Sequence, residues 1–138
     1  MAADHAEYRP EAAVPLIVPV VCAVPGGGRA ALSSTMRIKV EPASLAARLY
    51  GVEEVEEEFN CSYELNPLFE TALAERGLRV TGRAQAGEPR IVELGEHRFY
   101  VATLFQPQRM SAPGAPHPLV AAFVRAAIEF AAAVRRAS

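Results

Sequence analysis

The sequence has few cysteines, no tryptophan and no long apolar run. Cys22 and Cys61 are its two cysteines, which excludes a disulfide framework and a cysteine-rich metal site. One bridge between them stays open, but a reduced chain in the cytoplasm is the simpler expectation. No stretch approaches the roughly 20 apolar residues of a membrane helix. Residues 1–10 carry mixed charges and do not resemble a signal peptide. We therefore expect a cytoplasmic protein that does not contact a membrane.

Positive charge is also scarce. The formal net charge is -2 at pH 7, and the arginines are scattered along the chain. Binding to nucleic acid requires a dense cationic surface, so no nucleic-acid partner is expected. His97 and His117 lack the spacing of metal ligands, and the sequence predicts no metal and no cofactor. His97 is expected to be exposed in a turn, and His117 to cap a helix or to bond within its loop.

The order of predicted elements indicates the fold class. Residues 1–13 are polar and predict a tail or loop, whereas residues 14–138 predict one domain. Alternating and apolar segments predict strands at 14–24, 35–40, 55–65, 78–81, 90–94 and 99–105. Caps and helical periodicity predict helices at 45–50, 66–76 and 119–136. Strands that alternate with helices predict a layered α/β domain.

The clearest alternation covers residues 55–65. It predicts one half-buried strand, with the inward residues Val55, Phe59, Cys61, Tyr63 and Leu65. Glu57 is the only exception on that side, and we interpret it with the neighbouring glutamates as part of a solvated edge. Because Cys61 shares the inward side, packing is its simplest role, although thiol chemistry stays open.

Four segments together resemble the glutamine amidotransferase domain of CTP synthase, a class I amidotransferase. They are Thr35-Met36-Arg37 with Leu49-Tyr50-Gly51, residues 59–66, residues 105–108 and residues 116–119. The resemblance covers 14–132. An even closer likeness, through Cys61-Ser62-Tyr63 and residues 102–107, is to the CTP synthase C-terminal-region-related (seleno)proteins. The resemblance implies a three-layer α/β sandwich of the flavodoxin-like amidotransferase fold that lacks its N-terminal part.

The resemblance also implies a site, and this sequence departs from it. In that family a cysteine in a G-x-C-x-G elbow is the nucleophile, a histidine accepts its proton and a glutamate orients the histidine. This sequence contains no such elbow. Gln106 stands at the histidine position and Gln108 at the glutamate position, and an amide is not basic near neutral pH. Ser62, beside Tyr63 in the implied substrate site, replaces an arginine that binds the substrate carboxylate.

The expected activity follows from these departures. The resemblance implies a pseudoenzyme without glutaminase activity by itself, which acts as a binding or interaction module, with a small-molecule pocket conceivable at 106–111. An enzyme subunit completed by a partner, thiol chemistry at Cys61 and a misplaced start codon are the alternatives. A half-domain leaves apolar surface uncovered, so we expect a homodimer or a chain that supplies the missing half. By resemblance alone, the associated pathway would be pyrimidine nucleotide biosynthesis.

Overall fold

The structure is a computed structural model that describes residues 4–19, 34–60 and 63–137. Its strands are β1 (Ile17–Pro19), β2 (Ser34–Val40), β3 (Glu54–Phe59), β4 (Tyr63–Leu65), β5 (Leu78–Ala84), β6 (Pro89–Leu94) and β7 (Val101–Thr103). Its helices are α1 (Leu45–Tyr50), α2 (Glu70–Ala74) and α3 (Pro118–Ala137), and short 3-10 turns span Pro67–Phe69 and Pro107–Met110.

The described strands form two antiparallel sheets. The larger has the order β3-β2-β5-β6-β7, and the smaller pairs β1 with β4. The larger sheet curls strongly, and the segment that follows β7 therefore reaches β3: the Gln106 backbone N–H donates to Glu58 O at 3.3 Å. This curl brings the segment after β7 next to β3, although the two strands lie at opposite ends of the sheet order.

Side chains on the two faces of β6 define three layers. Ile91 lies in the main core with α1 and with Leu119 of α3. Val92 faces the opposite way, towards Leu73 of α2 and Ile17 of β1. Helices α1 and α3 therefore cover one face of the sheet, and α2 with the β1–β4 pair covers the other. This arrangement agrees with the layered α/β fold expected from the sequence.

Helix α1 shows how local sequence and distant contacts combine. Ser44 is its N-cap, and the side-chain oxygen accepts from the Ala47 N–H at 3.0 Å. Gly51 ends the helix with a φ of 73°, a conformation that glycine adopts without strain. At the start of the helix, Glu93 of β6 adds two acceptors, because its Oε2 lies 2.9 Å from Leu45 N and its Oε1 lies 2.8 Å from Ala46 N. The buried first turn is thereby satisfied.

Most predicted elements are confirmed, with three corrections. The segment 55–65 forms two strands in different sheets, with a break at Asn60. The alternation did not reveal the break, because its parity is the same on both sides. The strand predicted at 99–105 is shorter than expected, because only β7 within it is a strand, and its residues are half-buried. Only Ile17–Pro19 of the segment 14–24 is described as a strand, and Val20–Val24, with Cys22, lie outside the described residues.

Helix α3 is buried in its first turns and more exposed beyond them. Leu119 and Ala122 in its first turns are buried, and Leu119 belongs to the main core. Beyond them the helix exposes large apolar side chains, which are Phe123, Val124, Ile128, Phe130 and Val134. Further along the helix, the Phe123 ring lies 5.9 Å from the Phe99 ring, and the Arg98 guanidinium lies 3.9 Å from the centre of the Phe130 ring. No helix within 4–19, 34–60 and 63–137 is long and apolar enough to cross a membrane.

Candidate functional site

The segment 105–111 follows β7 and contains both glutamines of interest. Phe105 is buried in the main core and fixes the start of the segment. A 3-10 turn at Pro107–Met110 then carries the chain past β3. Arg109 Nε lies 3.0 Å from Glu58 Oε2, and this exposed ion pair joins the turn to the same strand. The segment is thus held between a core anchor and surface contacts to β3.

Gln106 uses its amide oxygen for structure. Its Oε1 accepts from the Asn60 backbone N–H at 2.8 Å, while its own N–H donates to Glu58 O. These two bonds tie the residue to the end of β3. A carboxamide oxygen in this state offers no basic lone pair to a thiol. Gln108 lies further along the turn and is exposed to solvent.

The remaining candidate residues are not all described. Cys61 and Ser62 lie outside the described residues, so their sequence-based roles stay predictions. Tyr63 is half-buried in β4, where the ring of His5 lies 4.8 Å from its own ring. The sequence predicted that Tyr63 would continue the buried side of β3, and that prediction is wrong. His5, within the segment predicted as a tail or loop, belongs to the folded part. In the described part of the chain, no hydrogen bond joins Tyr63 to either glutamine.

A buried carboxylate lies beside this segment, and sequence reasoning assigned it wrongly. Glu57 of β3 is only 2% exposed, whereas a solvated edge was expected. Its Oε1 lies 2.6 Å from Tyr50 Oη and 2.7 Å from His117 Nε2. Its Oε2 has no hydrogen-bond partner within 4–19, 34–60 and 63–137. The sequence did contain a sign of this burial, because Glu57 has the inward parity of Val55 and Phe59.

The contacts of His117 determine which ring nitrogen carries its proton. The Leu119 N–H donates to Nδ1 at 3.2 Å, so Nδ1 provides a lone pair. The ring proton of the neutral imidazole then lies on Nε2 and points at the Glu57 carboxylate. The bond to Leu119 confirms the predicted capping role of His117, and the bond to Glu57 is a second role. Through Glu57, the residue also connects the start of α3 to β3.

Tyr50 provides a test of this buried cluster. Burial first, then the hydrogen bond to Glu57 and the carboxylate charge, raise the pKa of Tyr50 far above its usual value. Because the pKa is raised only in the folded state, the contribution of Tyr50 to folding stability is complete below the unfolded pKa of about 10. It decreases as pH rises above that value. In an ultraviolet titration we expect one of the four tyrosines to ionise only when the protein unfolds.

The matched control for that titration is Tyr50→Phe. This variant should lose the delayed fraction of the titration, because it lacks the buried hydroxyl. A delayed fraction that persists in Tyr50→Phe would assign it to another residue and contradict the burial of this hydroxyl.

A small cavity lies on the opposite face of the sheet. It has a volume of about 220 Å³, and its lining is almost entirely apolar, with Leu16, Leu65, Leu73, Val92 and Leu104 among its residues. Arg90 borders it and is itself buried, with Nη2 at 3.4 Å from Glu64 Oε2. Burial raises the pKa of Glu64, and the Arg90 charge partly opposes that rise. In the described ranges, no three His, Cys, Asp or Glu side chains cluster in a way that could hold a metal.

Comparison with known proteins agrees with this architecture. No protein-family model matches the chain. A CTP synthase from Rhodococcus opacus is 40% identical over 137 residues, which cover 91% of this chain, and one from Bifidobacterium longum is 37% identical over 95% of it. The chain is therefore homologous to one part of these CTP synthases. It spans about a quarter of the length of these CTP synthases, 23% and 25% respectively.

A solved structure shows which part of a CTP synthase the fold corresponds to. The glutaminase domain of the Trypanosoma brucei enzyme, solved with bound acivicin, superposes with a TM-score of 0.82 and 23% identity. The match covers 92% of this chain and 51% of the solved chain. The expected class I amidotransferase fold is thereby confirmed, and the chain corresponds to about half of that solved chain.

Proposed function

We propose that this chain is a glutaminase-like module of the CTP synthase family that does not hydrolyse glutamine by itself and acts through binding. The observation that carries the proposal is Gln106, at the position of the family histidine, whose Oε1 is occupied by the Asn60 N–H at 2.8 Å. Thiol activation needs a basic group within hydrogen-bond reach of the sulfur. An amide oxygen that already accepts a backbone N–H does not meet that need.

Gln108 supports the same proposal. It is exposed at the position of the family glutamate, and it carries no charge that could stabilise an imidazolium. The His117–Glu57 pair does not replace the missing base, because both side chains are buried and His117 Nδ1 is occupied by the Leu119 N–H. A cytoplasmic location and a link to pyrimidine nucleotide biosynthesis stay predictions.

The test is an assay of ammonia release from glutamine by the purified chain. We expect no release above that of heat-denatured protein, whereas an active CTP synthase assayed in parallel should release ammonia. Ammonia formation by the unmodified chain, in proportion to its concentration, would contradict the proposal.

The second candidate is an enzyme subunit completed by a partner. The observation that favours it is the half-length match to the solved glutaminase domain, together with the exposed apolar side of α3. A partner that carries the elbow cysteine would still meet Gln106 in place of a histidine. Glutamine hydrolysis by a mixture of the two, absent from either alone, would favour this candidate. Thiol chemistry at Cys61 is a separate possibility, and alkylation of that thiol in the folded protein would test it.

A further inference from the structure

The apolar cavity on the α2 face of the larger sheet has the features of a small-molecule site. Its volume is about 220 Å³, and leucine and valine side chains from β4, β6 and α2 line it. Protein interiors are close-packed and leave few voids larger than a water molecule. A space of this size therefore needs an explanation.

Arg90 of β6 borders the cavity and has an unused donor. The residue is 5% exposed, and its Nε has no hydrogen-bond partner among residues 4–19, 34–60 and 63–137. The contact from Nη2 to Glu64 Oε2, at 3.4 Å, is longer than a typical hydrogen bond. The guanidinium is thus loosely held, and a small turn of the side chain brings its Nε–H to the cavity. Buried donors almost always have an acceptor, so an acceptor in the cavity would complete this group.

Water is a poor occupant of this space. A buried water molecule needs roughly two to four polar partners. Among the described residues that line the cavity, Arg90 and Thr103 alone have polar side chains, and the Thr103 hydroxyl donates to Phe105 O at 2.9 Å. An organic molecule with one acceptor atom fits better, because its apolar body gains from the apolar lining.

The charges beside the cavity favour a neutral ligand. Glu64 already balances the charge of Arg90, so a carboxylate ligand would bring a second negative charge to the pair. Burial of an unpaired charge is costly. The raised pKa of Glu64, which burial causes, shows that this surrounding already disfavours negative charge.

The volume limits the size of the ligand. In another protein, an apolar cavity of roughly 150 Å³ binds benzene. On that scale, the volume of about 220 Å³ suits a molecule of about seven to nine non-hydrogen atoms.

We propose that this cavity binds a small neutral carbonyl compound, such as an aliphatic ketone, whose oxygen accepts from Arg90 Nε. Association is driven by removal of the aliphatic body from water, and the Arg90 donor fixes the orientation. The described lining includes no residue of the segment 105–111, so this proposal goes beyond the proposed function and does not depend on it.

The first experiment titrates two probes of the same shape into the full chain labelled with ¹³C at its methyl groups. Hexan-2-one is the neutral probe, and pentanoate replaces its terminal methyl group with a charged oxygen. Hexan-2-one should shift the methyl signals of Leu65, Leu73 and Val92, with a dissociation constant of about 1 mM or below. Pentanoate should bind about tenfold more weakly or worse. No shift with hexan-2-one, or equal binding of pentanoate, would overturn the proposal.

The second experiment tests the role of Arg90 directly. The Nε–H signal of Arg90 in ¹H–¹⁵N spectra should move when hexan-2-one binds, because the donor gains an acceptor. The alkene 2-methylhex-1-ene has the same shape and no acceptor oxygen, so it should leave that signal nearly unchanged. Equal responses to the ketone and the alkene would contradict the assigned hydrogen bond.

A cavity-filling variant locates the site. Ala102→Leu adds bulk to the lining and should weaken hexan-2-one binding about tenfold or more. The control Ala86→Leu adds the same side chain in an exposed turn and should bind as the unmodified chain does. Unchanged binding by a folded Ala102→Leu protein, as judged by circular dichroism, would place the ligand elsewhere and refute the proposal.

Nuclear Overhauser effects provide a measurement that needs no variant. Contacts between the protons of hexan-2-one and the methyl groups of Leu65, Leu73 and Val92 should appear in the unmodified chain, and their absence would refute the site even if Ala102→Leu does not fold. Ammonia release by the free chain is measured separately, so a failure of this proposal and a failure of the proposed function are distinguishable.

Discussion

Replacing His117 with leucine is expected to lower the free energy of unfolding by about 3 kcal/mol, because it removes one of the two donors to the buried Glu57 carboxylate. The side chains of His117 and Glu57 are 4% and 3% exposed, so water cannot replace the lost bond. Leu119 would also lose the Nδ1 acceptor of its N–H. Equilibrium denaturation in urea measures the change.

The matched control is His97→Leu. His97 is exposed, and its ring bonds Phe99 within its own turn, so its replacement should change stability by no more than about 0.5 kcal/mol. A loss at His117 that equals the loss at His97 would show that the buried pair contributes nothing.

A double substitution identifies the physical cause. Glu57→Leu removes the buried charge itself, so the double variant Glu57→Leu/His117→Leu should be more stable than the sum of the single losses predicts, by about 2 kcal/mol. Single losses that simply add would contradict an interaction between the two residues, and would point to cavity and helix-start effects at each site.

Replacing Glu93 with alanine is expected to cost about 3 to 4 kcal/mol. Its carboxylate accepts from the Leu45 and Ala46 N–H groups and, at 3.0 Å, from the Thr81 hydroxyl. Glu93 is 7% exposed and Thr81 2%, so the donors would remain unsatisfied in the interior. Each unsatisfied buried donor costs roughly 1 to 3 kcal/mol, and partial access of water offsets part of the total.

The control for this substitution is Glu96→Ala, in the exposed turn that follows β6. Its stability should be within about 0.5 kcal/mol of the unmodified chain. Amide hydrogen exchange adds a local measurement, because Leu45 and Ala46 should exchange faster in Glu93→Ala than in Glu96→Ala. Equal protection of these amides in the two variants would contradict the role of Glu93 at the start of α1.

The candidate site could be predicted only in part. The substitutions at Gln106 and Gln108 followed from motif order, and the described position of Gln106 agrees with a structural rather than a basic amide. The role of Glu57 was missed, because a glutamate among other glutamates has the pattern of a solvated edge. Its partner His117 lies 60 positions away in the chain, and alternation within one strand carries no information about such a partner.

The sequence alone determined what is local in this protein. Caps such as Ser44 and Gly51, the start of α3 at Pro118, and the absence of a basic residue at 106 depend on residue type and on neighbours a few positions away. Hydrogen bonds within a turn need no distant partner, so local pattern is sufficient for them.

The tertiary structure decided which polar groups are buried and which apolar surfaces stay exposed. The curl of the sheet brings Gln106 to β3, and the packing of α1, β3 and α3 encloses Glu57 with Tyr50 and His117. Periodicity gave α3 an apolar side but not which part the body would cover. Burial depends on what the rest of the fold places opposite a side chain, and that is set by contacts between residues far apart in the chain.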